Sequence, residues 1–491
     1  MKQTFYEIFS ELNKIPRPSH HEEKVADYLC EFAEKHGLAY RRDAQNCVVI
    51  EKPATPGHEN AEPVVLLNHM DMVCVADVNY RRNGRPFNPL TDDIRPYIET
   101  DENGTRWMKA EGTSLGADNG IGLSMALAIL TDESLIHPAI EVLTTTNEED
   151  GMSGAEALSK DFISGRKVIN LDSEAYNEIT VGAAGACLQI GKWELNYAPI
   201  PQGHTCWKIV MNGGLGGHSG VDINKGRCNC NKELFSRLCM DSQNLKEMLV
   251  CSMNGGTANA SIASCAEIVV ALPNEKTDWM HNYIESWNKL LKEKYATTDN
   301  GINICIEPCE QQCEYIVNAS DIMHCIRELP FGVKEMRRDM PDTVMTSNNI
   351  GVVNTSEGML TISCHTRSFD NAEQDKLSAA IRSIMMNANA FDVEMLMNTP
   401  SWVEREDSQL LALTCQTFKD VLGFEPKKVA MHFVLEAAYY VEKYPGVEIA
   451  SIGPMIIEPH STSERVNLDT VTPDITTFWG WMNDIELLEL N

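Results

Sequence analysis

The opening residues, MKQTFYEIFSELNKIPRPS, lack the basic stretch followed by a long apolar one that marks a secretory leader. No run in the chain approaches the ~18–20 apolar residues that span a bilayer. The expectation is a soluble, cytoplasmic protein. Positive charge is scarce: 41 Lys and Arg stand against 71 Asp and Glu, for a net charge of −30. A field of that sign repels phosphates, which argues against nucleic acid and anionic membranes as partners, and it attracts divalent cations. The 16 Cys are scattered. Their tightest cluster, Cys305, Cys309 and Cys313, lacks both C-x-x-C spacing and a nearby His, so inert structural thiols are expected there. Internal repeats and low-complexity segments are missing too. What remains is an ordinary globular composition, 43% hydrophobic and 23% charged over 491 residues. That length suggests roughly two to three domains.

Phe5, Ile8, Phe9 and Leu12 fall at helical spacing. A second helix is predicted after Pro16 and Pro18, with Ser19 and Glu22 as a capping box, Val25, Leu29 and Phe32 on one face, and Gly37 at its end. The runs VVLLN (64–68), IEVLTTT (140–146) and KVINL (167–171) read as central strands, apolar on both faces, and 119–132 as a buried helix. This is an α/β layer pattern: a mixed sheet covered by helices. From about residue 188 the strands alternate as if half-exposed, with helical stretches near 231–250 and 277–294. After 398–402 a helix-like stretch from 407 and the strand-like VEIASIG (447–453) resume the first texture. The expected organisation is a catalytic domain in two parts, 1–190 and 399–491, with an inserted α+β domain over 191–398.

Chemistry-bearing residues fall at the ends of those strands. VVLLN runs into His69 and Asp71, IEVLTTT into Glu148 and Glu149, and KVINL into Asp172. Ligands of open α/β sheets bind beyond the carboxyl ends of the strands, so these side chains are expected at one edge. Asp118 follows a Gly-rich approach just before a helix, and His460 lies in a loop after VEIASIG. Taken singly, each has an ordinary reading: a helix cap, a solvated loop charge, a surface His. A His-x-Asp pair alone is expected roughly once by chance in a chain with 13 His. Together they form a mixed imidazole–carboxylate set suited to zinc or a similar divalent ion in a catalytic site.

The segments NHMDMV, GTSLGADNGIG, TTNEEDGMSGA, VINLDSE, GGLGGHSGVDI and SIGPMIIEPHSTSERV, in this order over nearly the whole chain, resemble the aminoacyl-histidine dipeptidases. These are the Xaa-His or β-Ala-His dipeptidases of the PepD type, within the co-catalytic zinc peptidases. The resemblance implies a dinuclear-metal dipeptidase acting on short unblocked, carnosine-like peptides. His69, Asp118, Glu149, Asp172 and His460 would hold two divalent ions, most often zinc, with manganese or cobalt as alternatives, and Asp118 would bridge them. Asp71 would orient His69, and Glu148 would be the general base. His218 would steady the oxyanion, in relatives often across a dimer interface, so a homodimer through the inserted domain is implied. Arg367 and Asn349 would be substrate contacts of the inserted lid; for Arg367 a surface ion pair is the competing reading. His432 and Glu436 match the substrate-side segment written HAGLE in the family. Its small residues are Phe433 and Val434 here, and the lid segment NAIPR appears as ASIAS (260–264), with Ala263 and Ser264 in place of Pro and Arg. These departures bear on specificity. They leave two rivals: an N-acyl amino acid deacylase or desuccinylase of the same clan, and a metal-dependent peptide-binding protein that has lost catalysis.

Overall fold

In the computed structural model, which describes residues 4–240, 247–309, 314–405 and 407–471, the unbroken apolar runs form the middle of a sheet. Every residue of Val64–His69 and of Ile140–Thr145 is buried. Val64–His69 lies between Ile140–Thr145 and Lys167–Asn170, parallel to both, and Glu448–Ser451 adds a further parallel strand beside Lys167–Asn170. Their carboxyl ends therefore share one edge. Val48–Lys52 pairs antiparallel with Ile140–Thr145 and Ala39–Arg42 antiparallel with Val48–Lys52 on one side; on the other, Glu178–Ala183 pairs antiparallel with Glu448–Ser451, and Trp402–Val403 follows it. The helix Ala117–Thr131 packs against Val64–His69 and against the helix Phe5–Leu12. Nearly all of Ala117–Thr131 is buried, as its apolar residues on every face require.

Phe5–Leu12 starts at a capping box between Thr4 and Glu7 and buries Ile8, Phe9 and Leu12. The second helix, Glu23–His36, buries Val25, Leu29 and Phe32 and stops at Gly37, whose φ of +69° is easy only for glycine. The capping box predicted for it does not form. The Ser19 hydroxyl donates to Asp71 Oδ2 at 2.8 Å, and the Glu22 carboxylate accepts from the Asn147 N–H at 2.9 Å. Both side chains are drawn away from the helix end to the loops that follow the central strands.

Contacts divide the chain into two compact units: the described parts of Met1–Gly182, Trp402–Ala430 and Glu436–Asn491 form one, and Ala183–Ser401 with Met431–Leu435 the other. The sequence-based boundaries at 190/191 and 398/399 differ from this division. Gly185–Glu194 pairs along its whole length with Met359–Ser368, which draws it into the second unit. The short segment 431–435, placed by sequence in the first unit, packs in the second through the Ser347–His432 hydrogen bond.

The second unit is a nine-stranded sheet with the helices Cys230–Met240, Thr277–Lys294, Ala319–Glu328 and Asn371–Asn387. Trp193, Phe235, Trp287, Ile350 and Ile362 belong to its core. The helix predicted over 231–250 is described only to Met240. Residues 241–246 lie outside the described residues, and Leu249–Gly255 is a strand, because Val250 and Met253 turn inward and pair with Ala266–Pro273. Cys305 and Cys309 are free thiols, as are the other described cysteines; Cys313 lies outside the described residues. On Val344–Ser356 and Met359–Ser368, Ile350, Ile362 and Cys364 enter the core. Ser347 and Asn349, paired in register with Arg367 and His365, lie on the opposite face.

Candidate active site

In the first unit the strand ends bring two imidazoles and several carboxylates together. Val64–His69 ends on His69 itself. Its Nε2 lies 3.1 Å from Asp118 Oδ1 and 3.3 Å from Asp172 Oδ1. His460 Nε2 lies 3.1 Å from Asp118 Oδ2 and 2.9 Å from Glu149 Oε2. The Asp118 carboxylate thus presents one oxygen to each of two imidazole–carboxylate sets. Donor atoms of His69, Asp118 and Glu149 all lie within 4.8 Å of one another, a spacing that fits one metal ion. Glu149 Oε1 is buried without a hydrogen-bond partner among the described residues, a spare donor of the kind a cation takes up.

Local sequence explains the placement. Gly116, at φ +69°, turns the chain into the helix Ala117–Thr131, and Asp118 keeps non-helical dihedrals within its first turn. A Cβ at Gly116 would lie 2.5 Å from Arg17 Nη2, so only glycine lets the buried guanidinium pass. Asp172 follows Lys167–Asn170 by two residues and accepts a short hydrogen bond from the Asn119 amide. His460 lies in the loop joining Ile456–Ile457 to Arg465–Asn467, a hairpin fastened to Arg106–Ala110.

Asp71 serves more than one neighbour. Its Oδ1 lies 3.4 Å from His69 Nδ1, the ring nitrogen turned away from Asp118. The same carboxylate accepts from the backbone N–H of Glu148 at 3.1 Å and of Glu149 at 3.2 Å. The Asp71 backbone carbonyl lies nearer still to His69 Nδ1, at 3.1 Å, so the residue meets the ring through both its carbonyl and its carboxylate, and the carboxylate holds the loop carrying both glutamates. Burial acts on Asp71 as well, but His69, Ser19 and the Glu148 N–H outweigh it and hold the carboxyl below its ordinary value.

Electrostatics follow the same pairing. Burial disfavours a charged His69, yet Asp172, Asp118 and Asp71 raise it well above the ordinary histidine value. Asp118 and Glu149 raise His460 to about 11. Asp118, between the two rings, is held far below the carboxylate range despite its burial. Asp172 is pushed up to about 6 by burial, with Asp118 adding to the effect. Burial, with Asp172, Glu149 and Glu436 nearby, raises Glu148 well above its usual value. Burial also raises Glu436 to about 8; Thr145 donates to its Oε2 at 2.7 Å, and its Oε1 is buried without a partner among the described residues.

The second unit gathers His218, Arg367 and His432. An Arg367 Nη2 N–H points at His218 Nε2 at 3.4 Å, and its Nε–H donates to Ser219 at 3.3 Å. The guanidinium is only 3% exposed and has no carboxylate in ion-pair range among the described residues. The surface ion pair weighed for Arg367 is therefore not formed. Burial, then Arg367, lowers His218 to about 4; burial, Arg367 and His218 lower His432 to about 3. The Asn349 amide donates to the Ser261 carbonyl at 2.8 Å and accepts from Asn229 at 3.2 Å, so it braces the 259–261 segment.

Sequence reading missed several supporting residues. Ser19 and Glu22 read as a helix cap, and Arg17, which donates to the carbonyls of Met70, Asp71 and Gly116, is not singled out by any motif. Glu464 lies in the same segment as His460, but its partners are backbone groups near Asp118 that the sequence does not mark.

The sequence profile of the peptidase family M20/M25/M40 matches residues 65–483. The chain is 32% identical over 471 residues to the cytosol non-specific dipeptidase of Escherichia coli (strain K12), covering 96% of this chain and 95% of that protein. The crystal structure of an aminoacylhistidine dipeptidase from Vibrio alginolyticus superimposes with a TM-score of 0.86 at 32% identity, covering 98% of this chain and 96% of that one. A tripeptidase from Staphylococcus aureus shares the fold, with a TM-score of 0.59 at 14% identity over 99% and 98% of the two chains. Fold and likeness together define a metal-dependent peptidase, a hydrolase acting on peptide bonds. The chain belongs to the peptidase family M20/M25/M40. No helix among the described residues is long and apolar enough to cross a membrane.

Proposed function

We propose that this chain is a cytosolic dinuclear-metal dipeptidase that cleaves short unblocked peptides, Xaa-His among them. The observation that carries this is the Asp118 carboxylate, shared between the His69–Asp172 and His460–Glu149 sets. Two relatives at 32% identity, one named a cytosol dipeptidase and the other an aminoacylhistidine dipeptidase, support it. His69, Asp118 and Asp172 would hold one divalent ion; Asp118, Glu149 and His460 would hold the second. Zinc suits this donor set, and manganese and cobalt are also accepted by carboxylate-rich sites. When bound, such a pair supplies an activated water and polarises the scissile carbonyl.

The protein's own groups do the rest. Asp71 fixes the His69 ring and holds the peptide groups of Glu148 and Glu149. Glu148 is the general base: it takes the water's proton and returns it to the leaving amine. His218, kept neutral, has a ring N–H to offer the tetrahedral oxyanion. Arg367, a buried cation without a protein anion in range among the described residues, is the partner for the peptide's terminal carboxylate, which it matches bidentately. His432 and Glu436 are assigned to the substrate by their match to the family's HAGLE segment. The second unit would supply the contact between two copies of the chain.

The test is a dipeptide library offered to protein loaded separately with zinc, manganese or cobalt, alongside N-acetyl and N-succinyl amino acids. Turnover of free dipeptides with little of the acylated compounds supports the proposal. Preferential hydrolysis of the acyl compounds would make the chain a deacylase, and stoichiometric peptide binding without cleavage would make it a binding protein.

A further inference from the structure

We infer that Glu464 is a positioning residue that locks the Asp118 turn to the His460 loop, so that the two ion sites assemble around one shared carboxylate as a unit. The inference rests on the dinuclear reading above. His460 and Glu464 belong to one loop. Ile456–Ile457 and Arg465–Asn467 pair antiparallel beneath it, and Val466 pairs with Met108 of the adjoining strand. Within the loop Glu458 and His460 take positive φ, and the Glu464 N–H closes a turn onto the Ser461 carbonyl at 3.2 Å. The loop is therefore shaped at both ends, and a side chain leaving it can transmit its position.

The Glu464 side chain leaves it inward, and the residue is 2% exposed. Its Oε2 accepts from the N–H groups of Leu115 at 2.7 Å and Gly116 at 2.9 Å; its Oε1 accepts from Ala117 at 2.8 Å and Asp118 at 3.4 Å. One carboxylate thus grips the consecutive peptide groups that carry Asp118 into its helix. The other side of the turn is held by Arg17, which donates to the Gly116 carbonyl at 2.6 Å. No side chain within the helix's own segment caps Ala117–Thr131, so Glu464 supplies from the His460 loop the acceptors that such N–H groups require. A residue that only capped the helix could come from any neighbouring element. This one comes from the loop bearing His460, whose imidazole faces the far oxygen of Asp118. A shift of either loop then moves the distance between the two donor sets.

The test uses manganese(II) as the probe. Two Mn(II) ions bridged by a carboxylate couple magnetically, and their electron paramagnetic resonance spectrum differs from that of isolated ions. In Glu464→Gln one acceptor oxygen becomes an NH2 group facing backbone N–H donors. The expected result is a chain with unchanged circular dichroism whose second Mn(II) binds at least about tenfold more weakly, the scale of effect seen when a ligand's supporting partner is removed. At full loading the coupled spectrum gives way to that of isolated ions. If the Gln variant does not fold, Glu464→Asp, which keeps the charge one methylene short, should show the same changes in weaker form. A folded variant that binds both ions with wild-type affinities and keeps the coupled spectrum would overturn the inference and leave Glu464 a helix cap. Uncoupled ions in the wild-type protein would instead overturn the dinuclear reading, and the inference with it.

Discussion

Replacing Asp71 with Asn removes one charge and almost no volume, yet it strikes several contacts. Oδ1 faces His69 Nδ1 at 3.4 Å and accepts the Glu148 N–H at 3.1 Å, while Oδ2 accepts the Glu149 N–H at 3.2 Å and the Ser19 hydroxyl at 2.8 Å. Each oxygen serves one of the two glutamate peptide groups. Whichever way the new amide turns, one backbone N–H meets a donor instead of an acceptor. A hydrogen bond to a buried charged group contributes about 1.5–3 kcal/mol, and loss of a ligand-orienting carboxylate weakens metal binding roughly 10–100-fold, or about 1.4–2.8 kcal/mol. Asp71→Asn should therefore bind both ions, with the ion at His69 weakened by that factor, and kcat should fall because the Glu148–Glu149 loop loses its anchor. Zinc titration against a competing chelator, with metal counted per chain, measures the first; steady-state turnover at saturating metal measures the second. His69→Ala is the contrast and should lose one ion outright. Affinity within about twofold of wild type together with unchanged kcat would refute the role given to Asp71.

Arg367→Ala should raise KM for free dipeptides far more than for the same peptides amidated at the C-terminus, because only the former carry the carboxylate that the buried guanidinium pairs with; equal losses on both would sink that assignment. Stability should fall with acid in a way that His432 controls. Burial, Arg367 and His218 depress its folded value to about 3, whereas the unfolded chain titrates near 6.5. The folded form stays neutral while the unfolded form binds a proton. This contribution is therefore fully present above the unfolded value and is lost as pH falls from about 6.5 toward 3, by at most about 1.4 kcal/mol per pH unit. Denaturant titrations of wild type and His432→Asn between pH 7 and 5 should show the shallower slope in the variant, and identical slopes would contradict the neutral assignment. Glu22→Ala should leave the helix Glu23–His36 intact by circular dichroism, because the Glu22 carboxylate serves Asn147 rather than the helix; loss of helical signal would restore the capping box.

The sheet was legible because its physics is local. Short apolar runs such as 64–67, bounded by polar residues, read as central strands, and a His or acid soon after each one lies at the shared carboxyl edge. Ser19 and Glu22 misled because capping-box spacing also suits two side chains reaching to separate loops, and tertiary partners outcompeted the local one. Arg17 and Glu464 escaped notice because their partners are backbone groups, Gly116 lying 99 residues from Arg17 and Asp118 lying 346 from Glu464, and such contacts leave no pattern in a single sequence. Segment 431–435 follows first-unit residues in the chain, while its packing is tied to the second unit by the Ser347–His432 hydrogen bond and by the Ala184 N–H donated to the Met431 carbonyl. Asn349 has the residue type of a substrate contact, and its amide is braced by Asn229 and Ser261, partners that its place in the sequence does not reveal.

The dinuclear dipeptidase account is tested most directly by Glu148→Ala. Glu148 lies beside the donor set without belonging to it, and its neighbour Glu149 faces His460 at 2.9 Å. Metal content and dipeptide turnover should be measured on the same preparation. The account predicts close to two ions per chain, as in wild type, with turnover abolished. A variant that keeps its metal and most of its activity would contradict it.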